Sequence, residues 1–301
     1  MGHGHDHHHH GVSAETDRRR LVIALALLVG FAAGEVAAGL LAGSVALLAD
    51  AGHMTADAAA LGLALVAIGL AARPPRGSLT YGLKRAEPAS ALVNAVALAV
   101  LALVFTIQAI GRLIEPADVD AGLVLAVALA GIPVNLAATW VLAGADRRSV
   151  NVEGAFQHVV TDLYAFVATA VAATVILATG FDRADPIAAL LVAALMTRAA
   201  WGLVRESGRM FLEAAPAGLD VTEIGTALAA SPGVTSVHDL HVWELTSGFP
   251  ALSAHVVVGA REDCHERRAE LDLLLHERFG IDHATLQVEH DQGLLTIGPA
   301  P

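Results

Sequence analysis

Apolar positions along the chain gather into six long runs, Leu21–Ala42, Val45–Ala72, Glu87–Leu113, Ala121–Ala143, Val152–Thr179 and Asp185–Val204, separated by short polar stretches. Each is near the ~20 residues needed to cross a bilayer as a helix. A spanning segment must satisfy its own backbone hydrogen bonds, so helices are the expected form. The first two runs are joined only by Gly43-Ser44, which predicts a helical hairpin. After Phe211 the pattern changes, with Pro216 and Gly218 as breakers and shorter periods beyond them. Asp220–Ala230 reads as a helix, Thr235–Thr246 and Ala251–Val258 as strands, Cys264–Phe279 as an amphipathic helix and Ala284–Glu289 as a strand.

An α-β-β-α-β order of that length predicts a small two-layer sandwich of the ferredoxin-like sort. The expected fold is therefore an α-helical membrane protein with six transmembrane helices and a C-terminal cytosolic α+β ferredoxin-like domain. Residues 1–20 are read as a His-rich tail, 21–209 as the six-helix transmembrane domain and 210–301 as the separate ferredoxin-like domain.

Composition sharpens this picture. With 55% hydrophobic and 16% charged residues and a mean hydropathy of +0.60, the 301-residue chain has the balance of a polytopic membrane protein. Aromatics make up only 4%, so the apolar content is mostly Ala, Leu and Val, which favours helices over barrel strands. The net charge of −12 is uneven: from Glu206 onward there are 15 of the 30 acidic residues against five Arg and no Lys. The tail is thus a separate acidic unit. A single cysteine, Cys264, excludes an intrachain disulfide.

Lys and Arg near the helix ends set orientation. Arg18 to Arg20, Arg73, Arg76, Lys84, Arg85, Arg147, Arg148, Arg198, Arg205 and Arg209 all fall on one side, which is then cytosolic, with both termini. The expected location is the cell's inner (plasma) membrane. The tract Met1–Gly11 is too polar for a signal peptide. It reads as a solvated tail that weakly gathers metal ions, in preference to an expression-tag remnant.

Two polar patterns interrupt the apolar runs. His53 and Asp57 lie four apart in the second, and His158 and Asp162 four apart in the fifth. That spacing puts each pair on one helix face, and carboxylates at such depth are costly as structure alone. Facing each other, the pairs make an N2O2 set suited to tetrahedral Zn²⁺, with Cd²⁺ and Co²⁺ as plausible companions. Two carboxylates neutralise the ion, and protonation of an Asp or a His competes with it. Exchange of Zn²⁺ for H⁺, coupled to alternating access, gives metal/proton antiport.

No nucleotide is expected, since no Gly-x-x-x-x-Gly-Lys-Ser/Thr occurs, and no nucleic-acid partner. The lack of His-Glu-x-x-His argues against an intramembrane protease, and the chain is not expected to be an enzyme. A passive channel is disfavoured by a site deep enough to hold its ion, and a metal sensor would leave the intramembrane donors without a use. Glu35, Asn94, Gln108, Asn135 and Tyr164 could line a path, but hydrogen bonding between helices is the simpler role for each. Asp50 reads as an exposed helix-end carboxylate.

The chain resembles the cation diffusion facilitator family, specifically its zinc-exporting branch. The likeness rests on Ser44 to His53 with Asp57, Tyr81 to Glu87, His158 with Asp162, Ala184 to Ala188, and Val237 to Trp243. It implies six membrane helices, a homodimer, a cytosolic ferredoxin-like domain and Zn²⁺/H⁺ antiport out of the cytosol, with His53, Asp57, His158 and Asp162 as the transport site. It also implies zinc in the cytosolic domain as a regulatory ligand. His238, His255, His265 and His290 match the family's positions there. The carboxylate expected two residues after the last His is here Gln292, with Asp291 one early. On strand parity alone, His238 and His290 could instead sit at the edge of an apolar face. His241, Cys264, His276 and His283 are weaker candidates. Between the second and third helices, Arg73 to Glu87 contains no His or Asp, so no metal is expected there.

Overall fold

The structure, a computed structural model, describes residues 10–42, 45–115, 120–147 and 149–290, with the backbone only at 10–16, 39, 42, 45–50, 53 and 56. The first nine residues of the His-rich tract, the Gly43-Ser44 turn, Arg148, Asp291 and Gln292 lie outside the described residues, as do the side chains of Asp50 and His53. The chain divides into two compact units, Met1–Ser207 and Gly208–Pro301.

Six helices build the first unit: α1 His10–Ala42, α2 Val45–Ala71, α3 Ala86–Ile114, α4 Ala121–Ala143, α5 Val150–Thr179 and α6 Ala184–Phe211, the last running on into the second unit. Their cores follow the six apolar runs. The ends differ where polar residues continue a helix, since α1 starts before Leu21 and α6 runs past Val204 through Arg205, Glu206 and Arg209. Helix hydrogen bonding does not need an apolar side chain, so hydropathy marks the span and not the helix end.

Among the described residues, five of the helices are long and apolar enough to cross a membrane. The sixth, α2, is 27 residues long, and its Asp57–Ala71 portion is apolar. Large apolar side chains also face outward, including Trp140 at 79% and Leu191 at 63% exposure, which suits a lipid solvent.

Packing makes α5 the central helix. Its Val159 and Phe166 join Leu21 and Leu28 of α1, Met54 and Leu61 of α2 and Leu142 of α4 in one cluster. Its Ala165 and Ala168 meet a second cluster formed by Leu98 of α3 and Met196 and Leu203 of α6. The close approach of α4 to α5 depends on Gly131, where an added Cβ would lie 2.5 Å from the Phe166 ring. Phe31 holds the same ring edge-on at 6.2 Å. At Gly30 and Gly34, by contrast, an added Cβ would meet nothing within 4 Å among the described residues.

The second unit contains α7 Val221–Ala229, β1 Val234–Glu244, β2 Pro250–Val258, α8 Cys264–Phe279 and β3 His283–His290. Strand order is β1-β2-β3, antiparallel between the first two and parallel between the last two, with α8 as the crossover. This is the ferredoxin-like arrangement expected. Asp263 caps α8 by accepting from the N–H groups of His265 and Glu266, which hold its carboxyl below the usual range. Ile224, Leu228, Leu271 and Leu275 from the helices cover Ala254, Val256, Val258 and Leu286 of the sheet. Alternation along β2 therefore turns His255 to the open face.

Candidate metal centre

Three ionisable side chains meet between α2 and α5. Asp57 is 0% exposed, and His158 and Asp162 are each 4% exposed. His158 Nε2 lies 2.7 Å from Asp57 Oδ1 and 3.9 Å from Asp162 Oδ2. One donor atom from each of the three residues falls within 4.8 Å of the other two. A tetrahedral Zn²⁺ with bonds of ~2.0–2.1 Å sets its donors about 3.4 Å apart, a value between the two measured separations. His53 lies one turn before Asp57 on α2, but its side chain is outside the described residues.

A clamp two turns away fixes the pairing of these helices. Asn151 of α5 donates from Nδ2 to the Ala64 carbonyl of α2 at 2.7 Å, while its Oδ1 accepts from Ser90 Oγ of α3 at 2.9 Å. Asn151 precedes His158 by seven residues and Ala64 follows Asp57 by seven, so both contacts lie on one antiparallel seam. Nearby, Ser149 Oγ donates to Glu87 Oε1. Sequence reasoning passed over Asn151, although its heptad offset from His158 was visible.

On the other side of the site is a cavity of about 320 Å³, lined by α3, α4, α5 and α6. Asp162 stands on its wall, as do Gln108, Phe166 and Thr169, with Arg112 and Asp185 farther along. Gln108 thus lines a cavity rather than serving only as a helix contact. Asn135 donates to Gly131 O within its own helix, α4, at 3.2 Å.

In the second unit the four expected histidines divide. His238 and His255 are direct partners across β1 and β2, with ring centroids 5.2 Å apart, and Glu289 of β3 completes a three-donor group within 4.8 Å. His290 faces the start of α8, with Nε2 3.6 Å from Cys264 Sγ and 2.9 Å from the Glu262 carbonyl. His265 is exposed at the first turn of α8. Among the described residues, neither His265 nor His290 belongs to the three-donor group.

A place at the edge of the apolar face fails for His238 because the strand is irregular. Asp239 has φ +53, and the β1–β2 register shifts between His238 and His241. The shift lets Val237, Leu240 and Val242 all reach the core while His238 stays on the open face. Asp239 also lies 3.0 Å from His241 Nε2 and 3.9 Å from His255 Nε2. Glu289 is adjacent in sequence to His290, and strand alternation is what separates them.

Sequence comparison agrees with both units. The profile of the cation efflux transmembrane domain matches residues 21–212, and that of the cation efflux protein cytoplasmic domain matches 216–291. The chain belongs to the cation efflux family. It is 38% identical over 295 residues to zinc transporter ZitB of Escherichia coli, covering 96% of this chain and 93% of that protein. It is 34% identical over 288 residues to a cadmium, cobalt and zinc/H(+)-K(+) antiporter of Bacillus subtilis, covering 93% of each. A solved metal-bound C-terminal domain of the CzcD transporter is 40% identical, covering 24% of this chain and 99% of that domain, with a TM-score of 0.23. As a member of this family the chain is a multi-pass membrane cation-efflux transporter and not an enzyme.

Proposed function

We propose that this cation efflux protein exports Zn²⁺, with Cd²⁺ and Co²⁺ as secondary substrates, from the cytosol in exchange for protons. His53, Asp57, His158 and Asp162 form the transport site, alternately open to either side. The observation that carries this reading is the 2.7 Å contact between His158 Nε2 and Asp57 Oδ1. A hydrogen bond of that kind needs a proton between the two atoms, and a metal ion on the single lone pair of Nε2 takes the place of that proton. Proton and cation therefore compete for the same lone pair in a buried site, which is the chemical requirement for exchange. The names of the relatives, zinc transporter and cadmium, cobalt and zinc antiporter, support the same cargo and coupling.

The surrounding arrangement follows from this. Residues 1–20 form a cytosolic tail, 21–209 the transport domain and 210–301 a cytosolic domain that pairs two copies in a homodimer, in the inner membrane of the cell. Zinc on His238, His255 and Glu289, with His265 and His290 as candidates for further coordination, ties transport to the cytosolic metal level. Glu289→Gln is expected to weaken zinc binding by that domain ~10-fold or more. Calorimetry of the full chain with an unchanged second binding phase contradicts this role.

Zinc flux into proteoliposomes, with and without an imposed pH gradient, tests transport. The intact protein is expected to respond to the gradient, and Asp57→Ala and Asp162→Ala to abolish the response. Flux that ignores the gradient supports a channel instead, and no flux at all supports a sensor.

A further inference from the structure

The cavity beside the transport site leads to a charged pair that the exchange chemistry does not use. Its lining on α3 proceeds from Gln108 to Arg112, near the C-terminal end of that helix, and on α5 from Asp162 through Phe166 to Thr169. Asp185 contributes from the first turn of α6. These helix ends all lie on the side opposite the Arg- and Lys-rich loops. From Asp162 to Thr169 the wall extends about 10 Å along the helix axis.

At the outer end Arg112 Nη1 lies 3.1 Å from Asp185 Oδ2, with side-chain exposures of 51% and 19%. The pair and Asp162 thus line one cavity, and most of the wall between them is apolar, including Phe105, Val124 and Ala165. Among the described residues, a divalent ion that steps away from Asp162 meets no other carboxylate on this wall before Asp185. That carboxylate already holds a cation that cannot be deprotonated. Bare, Asp185 would retain the leaving ion; paired, it can accept the ion only while the half-exposed guanidinium swings aside.

We propose that Arg112 and Asp185 are the outlet pair of this transporter: Asp185 receives the divalent cation leaving Asp162, and Arg112 expels it by returning to the carboxylate. The inference rests on the transport reading above and adds two residues that set the release rate. A purely structural role, tying α3 to α6, makes different predictions.

The test measures zinc flux by the full chain in proteoliposomes as a function of zinc concentration. Arg112→Gln is expected to lower both the maximal rate and the apparent KM, each by up to about fivefold, the range set by a partly exposed ion pair. Arg112→Lys is expected to restore both, since the contact is through a single nitrogen. Asp185→Asn is expected to lower the maximal rate without lowering KM. The proposal is overturned if Arg112→Gln leaves rate and KM unchanged, or slows transport at constant KM with no rescue by Lys. Should Arg112→Gln fail to fold, Asp185→Asn decides: an unaltered maximal rate overturns the outlet pair. If the intact protein moves no zinc, the transport reading itself falls and the pair falls with it. Normal flux in the intact protein with insensitive variants removes only the pair.

Discussion

Asn151 uses both ends of one carboxamide to join three helices, α2 through the Ala64 carbonyl, α3 through Ser90 and its own α5. It is 0% exposed and Ser90 is 4% exposed, so replacing Asn151 leaves the Ser90 hydroxyl without its acceptor away from water and removes the second bond to the Ala64 carbonyl. Asn151→Ala should therefore cost about 1–3 kcal/mol, read as a lower midpoint in thermal unfolding of the detergent-solubilised chain. An unchanged midpoint would contradict the clamp. At this scale the sequence exposed Asp57, His158 and Asp162, because a four-residue spacing on an apolar helix defines a face without tertiary information. It did not expose Glu289, whose place beside His255 depends on the parallel register of β2 and β3, with His255 opposite Gln287. Nor could parity place His238, since the irregularity at Asp239 resets the alternation.

Among the elements, the six spans were legible because a bilayer imposes a length, and the order in the second unit because strands and helices differ in period. The helix ends were less so, as α1 and α6 show, because polar residues extend a helix as readily as apolar ones. Packing between elements was hidden. The tight approach of α4 to α5 occurs at Gly131 against Phe166, and neither hydropathy nor spacing marks it. Gly131→Ala places a methyl where the ring sits and should destabilise the protein by about 1–3 kcal/mol. A second substitution, Phe166→Leu, should recover part of that loss, because it removes the ring edge the methyl meets. Strict additivity of the two changes in thermal unfolding would argue that α4 and α5 do not touch there.

For the whole molecule, the sequence separates a nearly neutral, apolar transport unit from an acidic C-terminal unit, and the two match separate profiles of one family. Among the described residues, groups that could hold a metal ion occur in both, buried in the first and more exposed in the second. That difference in burial assigns them different chemistry. Under the proposed exchange the buried Asp-His pair binds a cation by giving up a proton, whereas more exposed donors on an open sheet face would equilibrate with zinc in solution. The central claim is that the ion and the proton exclude each other at Asp57 and His158. It is tested most directly by counting protons released on zinc binding to the full chain carrying His238→Ala and His255→Ala, using calorimetry in buffers of different ionisation enthalpy. The account predicts about one proton or more released per zinc bound at neutral pH. Zinc binding with no proton release would contradict it.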